Sequence, residues 1–133
     1  MPDFISLPLS DPSLQRQQCL VAGAWVDADD GATITVTDPA TGAAVGTIPD
    51  MGGAEARRAI DAAKGVFDDW RRLTAGKHTR ILRHLFELML ANREDLALIM
   101  TAEQGKPLAE SRGEIGYVDT RECLCEASTK GGS

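Results

Sequence analysis

The sequence has few aromatic residues and no long apolar run. Aromatic residues make up 5% of the 133 residues, although the hydrophobic fraction is 43%. That fraction is too high for a wholly disordered chain, and the length fits one domain or a part of one. The uninterrupted apolar runs are only a few residues long, so no segment is predicted to cross a bilayer.

Positive charge is also scarce. Lys and Arg number 14 against 20 Asp and Glu, which gives a formal net charge of −6. A chain with this balance offers no general counter-charge to a phosphate backbone or to an anionic lipid surface. We therefore expect neither a nucleic-acid partner nor a membrane partner.

Cysteine is rare as well. Cys19, Cys123 and Cys125 make an odd number and include no Cys-x-x-Cys pair, which suits a reducing compartment better than a disulfide scaffold. The first residues, MPDFISLPLSDPSLQRQQ, lack both a basic start and a continuous apolar stretch, so they do not resemble a secretory signal. Both observations favour a cytoplasmic location.

The first predicted elements of the chain are an amino-terminal arm and two hairpins. Residues 1–17 carry three prolines and no sustained period, which predicts an arm that is ordered only where another element holds it. A first hairpin is predicted in CLVAGAWVDAD, with its bend at Ala22 and Gly23. A second is predicted in TITVTDPATGAAVGTI, because Pro39 and Gly42 suit the backbone angles of a reversal. Its side chains should alternate, with Thr33, Thr35 and Thr37 opposite Ile34 and Val36.

The period changes from two to 3.6 at Gly53, which predicts about four helices and an α+β class for the chain. The second helix should start after Thr74 as its cap. Two apolar stripes are predicted: Ala56, Ile60, Ala63, Phe67 and Trp70 on the first helix, and Ile81, Leu82, Leu85, Phe86, Leu88 and Met89 on the second.

The third helix should begin near Asn92, with Glu94 and Asp95 favourably placed in its first turn. Gly105 should end it, and Pro107 should open the fourth helix. That helix has Leu108, Ser111, Ile115 and Val118 on one face. The stripe degrades after Val118, so 118–133 is expected to be a divergent, disordered tail.

Four features of the sequence resemble functional sites. DADDG, from Asp27 to Gly31, is closer to a solvated turn than to a calcium loop, because its glycine falls at a ligand position. Cys123 and Cys125 supply only two metal ligands, which favours an incidental pair. His78 and His84 lie six residues apart and do not share a helical face, so surface or boundary positions are the expectation.

The glycines form no phosphate-binding pattern. Gly42, Gly46, Gly52 and Gly53 fit neither G-x-G-x-x-G nor G-x-x-x-x-G-K-[ST], and turns and helix ends account for them. Accordingly, no residue of this chain is assigned a catalytic, cofactor-binding or metal-binding role.

Several separate stretches, in order, are similar to one enzyme family. They are RQQCLVAGAWVDADDG, VTDPATGAAVGTIPDMG, AIDAA, a Trp, and MTAEQGKPLAESRGEIGY. Together they resemble the amino-terminal part of the aldehyde dehydrogenase superfamily over about residues 15–117, and most closely its succinate-semialdehyde dehydrogenase branch. The resemblance implies the start of a Rossmann-type cofactor domain, with residues 18–117 as a partial segment of it.

The same resemblance implies a homo-oligomeric parent enzyme that oxidises an aldehyde with NAD(P). A thiolate attacks the aldehyde, hydride passes to the cofactor, and a glutamate activates water for hydrolysis. The family's Gly-Gln-x-Cys and Glu-Leu-Gly-Gly motifs are absent from this sequence. The chain alone is therefore expected to be inactive and to bind no cofactor.

Two further expectations concern the carboxyl-terminal part of the sequence and the proteins that the chain could bind. The family pattern breaks off at Tyr117, which favours a frameshift or an artificial end over a genuine tail. The uncovered stripes also leave an alternative open, in which the chain is an interaction module that docks on a full-length paralogue and alters its assembly. Which aldehyde the parent oxidises, and whether it uses NAD or NADP, stays open at this stage.

Overall fold

The computed structural model describes residues 4–117; residues 1–3 of the predicted arm and the predicted tail, residues 118–133, lie outside this range. Within it, two hairpins precede four α-helices, so the predicted α+β class is confirmed. The strands are β1 Cys19–Val21, β2 Ala24–Val26, β3 Thr33–Thr37 and β4 Ala44–Pro49, and the helices are α1 Gly53–Arg71, α2 Ala75–Ala91, α3 Arg93–Gln104 and α4 Leu108–Gly116. In this part of the chain, no helix combines the length and apolar character needed to span a bilayer.

The first hairpin bends where the sequence predicts. β1 and β2 are antiparallel, with Cys19 opposite Val26. Ala22 and Gly23 at the bend have φ angles of 51° and 81°. Two successive positive φ values are typical of the tight hairpin turns whose twist matches that of the strands.

The second hairpin is also confirmed, with Gly42 at a φ of 73°. In its loop, the Asp38 carboxylate accepts the Ala40 N–H at 2.8 Å and the Thr41 hydroxyl at 2.9 Å. The N–H of Ala40, followed by the hydroxyl of Thr41, lowers the pKa of Asp38 because both stabilise the carboxylate. The expected alternation is only partly expressed as burial, because Val36 is half-buried and Ile34 is 47% exposed.

The amino-terminal segment is held by α3 and β4. The carboxylate of Asp95, 4% exposed, accepts the N–H groups of Ser10 at 2.9 Å and Asp11 at 2.8 Å. The Ile5 N–H donates to a β4 carbonyl at 2.8 Å, and the Gln15 side chain donates to another at 2.9 Å. The sequence predicted only that Asp95 would complement the helix dipole. It did not predict that Asp95 would also bind the backbone of a segment 84 residues away.

The buried residues come mainly from β4, α3 and α4, and α3 packs against both α4 and strand β3. Val45, Ala97 and Ile115 are at most 6% exposed. Ser111 is fully buried on α4, and its hydroxyl lies 2.8 Å from that of Thr101 on α3. The small residues Ala97 and Ser111 let the two helices approach closely, and the hydroxyl pair satisfies the polar atoms that this approach buries.

The helix ends agree with the sequence in position but differ in detail. α2 starts after Thr74 as predicted, yet the Thr74 side chain makes no capping hydrogen bond. Pro107 was expected to be the first residue of α4, but its ψ of 138° makes it the cap, and Leu108 begins the helix. Gly105 ends α3 at a φ of 70°, as predicted.

Both its backbone angle and its contact with Pro39 favour glycine at position 105. A Cβ built on it would lie 2.7 Å from Cγ of Pro39, and its left-handed backbone disfavours other residues. We expect Gly105→Ala to destabilise the chain by about 1–2 kcal/mol from the backbone alone. Thermal unfolding followed by helical circular dichroism measures this.

Gly65 provides the matched control for that substitution. It lies within α1 with open space around its Cα, so Gly65→Ala should stabilise the helix by about 0.5–1 kcal/mol. Equal effects of the two substitutions would show that the contact with Pro39 and the left-handed backbone do not constrain Gly105.

The second prediction concerns Asp95. Asp95→Ala removes the acceptor of two N–H groups, and a hydrogen bond to a charged group contributes about 1.5–3 kcal/mol. Amide hydrogen exchange at Ser10 and Asp11 should therefore be at least roughly tenfold faster. Asp61→Ala on the exposed surface of α1 is the control, and it should leave this exchange unchanged.

Candidate functional site

The most extensive unsatisfied feature of the described residues is the apolar stripe of α1. The predicted helical spacing is confirmed, but the stripe is not covered. Of the predicted residues, Ile60 is 63% exposed, Phe67 58% and Trp70 41%. Val66, which was not predicted in the stripe, extends the exposed apolar surface of α1 and is 63% exposed. None of the residues of α1 is buried. A 19-residue amphipathic helix normally gains its stability from burying this face, so α1 presents a surface suited to packing against another element.

α2 presents a second stripe of the same kind. Ile81, Leu82, Leu85 and Leu88 are 43–53% exposed, and this helix also contains no buried residue. Phe86 and Met89, predicted in the same stripe, are half-buried. We call these eight exposed side chains, four on α1 and four on α2, the two apolar stripes.

His78 fixes the junction between the two helices. Its Nε2 lies 2.8 Å from the carbonyl oxygen of Trp70, and the two rings lie 4.6 Å apart between centroids. Because a carbonyl oxygen only accepts, Nε2 carries the proton in this contact. His78 therefore occupies a half-buried boundary position with a packing role, whereas His84 is exposed.

The Asp27 to Gly31 segment is a turn linked to α1. The Gly31 N–H donates to the Ala28 carbonyl at 2.9 Å, and the Asp29 carboxylate pairs with Arg58 at 2.6 and 2.8 Å. The guanidinium hydrogen bonds lower the pKa of Asp29 and occupy its oxygens. No group of three His, Cys, Asp or Glu side chains suited to a metal occurs in 4–117; Cys123 and Cys125 lie outside that range.

The amino-terminal end of α1 is already occupied by a carboxylate. Glu55 accepts the Gly52 N–H at 2.5 Å through one oxygen and the Asp29 N–H at 2.8 Å through the other. The Glu55 carboxylate places a negative charge beside the start of α1, where the helix dipole favours it. The Gly52-Gly53 pair thus serves the start of α1.

A small cavity lies between the amino-terminal segment and β4. Its lining includes Gln15, Val45 and Glu103, and its volume is about 20 Å³. Small-molecule and cofactor sites typically measure about 300–1,000 Å³. The cavity has room for a water molecule.

A second ion pair joins the helices that carry the core. The Glu94 carboxylate on α3 accepts from Arg112 on α4 at 2.8 and 2.9 Å, and the Arg112 hydrogen bonds lower the pKa of Glu94. This contact lies on the surface, so it orients α3 and α4 instead of contributing greatly to stability. The polar contacts of α3 and α4 therefore have structural roles, and the stripes of α1 and α2 remain the exposed apolar surfaces.

The third prediction tests the exposure of the stripes. The 133-residue chain should bind a hydrophobic fluorescent dye strongly and should self-associate, because about half of each large side chain remains in water. Phe67→Ser should lower the dye fluorescence, whereas Phe4→Ser, in the amino-terminal segment, should not. A monomer with negligible dye binding and a sharp thermal transition would contradict this expectation.

Comparison with known proteins places this surface in a larger molecule. The aldehyde dehydrogenase family model matches residues 25–131. This match starts later and ends later than the motif resemblance over 15–117, and its last part lies outside the described residues. Similarity to the family thus continues beyond Tyr117, where the sequence motifs indicated a break.

Individual relatives are longer than this chain. Glutarate-semialdehyde dehydrogenase of Pseudomonas putida is 56% identical over 111 residues, and succinate-semialdehyde dehydrogenase [NADP(+)] of Escherichia coli is 51% identical over 111 residues. Each alignment covers 84% of this chain and 23% of the relative. The chain thus spans about a quarter of the length of these relatives.

A solved structure follows the same path. The aldehyde dehydrogenase of Brucella melitensis superposes with a TM-score of 0.89 and is 48% identical, over 94% of this chain and 26% of that one. Two hairpins and four helices therefore recur in the same arrangement inside a larger enzyme. The family match, the identities and this superposition agree: the chain belongs to the aldehyde dehydrogenase family.

Proposed function

We propose that this chain supplies the amino-terminal part of an NAD(P)-dependent dehydrogenase that oxidises a semialdehyde to the acid. The observation that carries the proposal is the superposition over 94% of the chain on 26% of a solved aldehyde dehydrogenase. The described residues would form the two hairpins and the helical layer on which the rest of the cofactor domain packs. The apolar stripes of α1 and α2 are the surfaces available for that packing.

The semialdehyde class is supported by the names of the similar enzymes. One acts on glutarate semialdehyde and another on succinate semialdehyde, and both compounds carry a carboxylate at the end opposite the aldehyde. Succinate semialdehyde, suggested by the EQGKPLAE stretch, is the finer substrate proposal. The identities of 56% and 51% make glutarate semialdehyde the natural competitor in any assay.

Catalysis is assigned to the remainder of the parent enzyme. The sequence holds no Gly-Gln-x-Cys or Glu-Leu-Gly-Gly motif. Covalent catalysis without a nucleophile has no route. We propose that the parent binds NAD(P) with residues outside this chain and that the family's homo-oligomeric state and a cytoplasmic location extend to it.

The fourth prediction tests the role of the chain within a complete enzyme. The 111 residues of the Escherichia coli succinate-semialdehyde dehydrogenase that align with this chain are replaced by its aligned residues. If the two segments build the same layer, the chimera should oxidise succinate semialdehyde within roughly a hundredfold of the parent rate, the loss that a misplacement of about 1 Å causes. Absorbance of the reduced cofactor measures the rate.

The isolated 133-residue chain is the control for this experiment. With succinate or glutarate semialdehyde and either nicotinamide cofactor, it should not reach about 1 turnover per second, the lower end of typical enzyme rates. A folded chimera without activity would refute the assignment to the amino-terminal layer. Enzyme-like turnover by the isolated chain would refute the assignment of catalysis to other residues.

A further inference from the structure

Residues 4–17 lie against the edge of β4 that does not pair with β3. The two strands form a two-stranded sheet, so each strand has one edge outside the ladder that joins them. The Ile5 N–H donates to the Ala44 carbonyl of β4 at 2.8 Å, and the Gln15 side-chain amide donates to the Val45 carbonyl at 2.9 Å. We call residues 4–17 the strap.

The strap satisfies an irregular point of the sheet. Val45 has no partner in the register of β3 and β4, which shifts between Val36 and Thr37. A bulged residue leaves its backbone groups outside the ladder, and Val45 is only 2% exposed. The Gln15 amide therefore supplies the hydrogen bond that this carbonyl needs once it is shielded from water.

Gln17 covers the next part of the same edge. Its side-chain oxygen accepts the Thr47 hydroxyl at 2.8 Å. Its Cγ and Cδ atoms lie 3.8 Å from the position that a Cβ on Gly46 would take, and Gly46 is buried. The side chains of Gln15 and Gln17 together contact three consecutive residues of β4, at positions 45–47.

A second copy of β4 would suit this edge if the strap left it. Open strand edges pair with other strands, and proteins prevent this by covering the edge or by placing charges on it. The strand reads AVGTIP and contains no charged residue. Two copies related by a two-fold axis would meet antiparallel, with no like charges opposed along the paired strands.

The strap can leave β4 without dismantling the core. No residue of the strap is itself buried, and its connection to β1, residues 16–18, is exposed and contains neither helix nor strand. We propose that the strap keeps β4 from pairing with other strands, and that its release lets the free edge of β4 pair with β4 of a second copy. This inference does not depend on the proposed function.

The fifth prediction tests release of the strap in the full 133-residue chain. Gln15→Ala combined with Gln17→Ala removes both side chains from the edge and leaves the core unchanged. Because two hydrogen bonds to β4 are lost, amide exchange at Ile5 should be at least roughly tenfold faster. The concentration at which half of the chain is dimeric, measured by sedimentation velocity, should fall at least roughly tenfold.

Two lysine substitutions in this double variant separate β4 pairing from association through the apolar stripes. Thr47→Lys places a charge on β4, whereas Thr35→Lys places the same charge on β3, directly opposite Thr47 in the register. Thr47→Lys should return the dimerisation concentration to that of the unsubstituted chain, because like charges would then lie within the short paired segment. Thr35→Lys should leave the dimerisation of the double variant unchanged, and both variants keep the stripes.

Asp95→Ala releases the strap from its other end, because it removes the acceptor of the Ser10 and Asp11 N–H groups. It should also lower the dimerisation concentration, and helical circular dichroism checks that every variant keeps its helix content.

Three results would overturn the inference. The first is unchanged amide exchange at Ile5 in the double glutamine variant, and the second is faster exchange without stronger dimerisation. The third is an equal effect of the two lysine substitutions, which would assign the association to the stripes. The proposed function is tested separately by the chimera and stands or falls independently of these results.

Discussion

One buried carboxylate connects the two ends of the described chain, because it holds the amino-terminal segment against a helix that follows 84 residues later. Asp95, near the start of α3, accepts two consecutive N–H groups of the amino-terminal segment and is itself 4% exposed. Buried charge is tolerated only where hydrogen bonds satisfy it. By meeting that requirement with backbone donors from Ser10 and Asp11, Asp95 fixes the segment against the helix that carries the core.

The elements around Asp95 contain most of the buried residues, whereas the two helices that precede α3 contain none. β4, α3 and α4 contribute the buried residues Val45, Ala97 and Ile115, and the hydroxyl pair of Thr101 and Ser111 lies between the helices. α1 and α2 contain no buried residue. The first region closes a small core of its own, while the described residues leave the stripes of α1 and α2 largely exposed.

Much of the local structure could be predicted because it depends on neighbouring residues. The bend at Ala22 and Gly23, the start of α1 at Gly53 and the end of α3 at Gly105 each follow from the backbone preferences of a few adjacent residues. The stripes followed from spacing alone. By contrast, the side chain of Thr74 was expected to cap α2 and does not, because N-cap preference is a tendency that the local geometry can override.

The sequence by itself determined the α+β class, the positions of the turns, the apolar stripes and the family. It did not determine whether the stripes would be covered, what held the amino-terminal segment, or that the Glu55 side chain would accept N–H groups at the start of α1. Those features depend on pairs distant in the chain, such as Asp95 with Ser10 or Glu55 with Asp29. Only the tertiary structure decides them, because local periodicity fixes which face a residue occupies and carries no information about what meets that face.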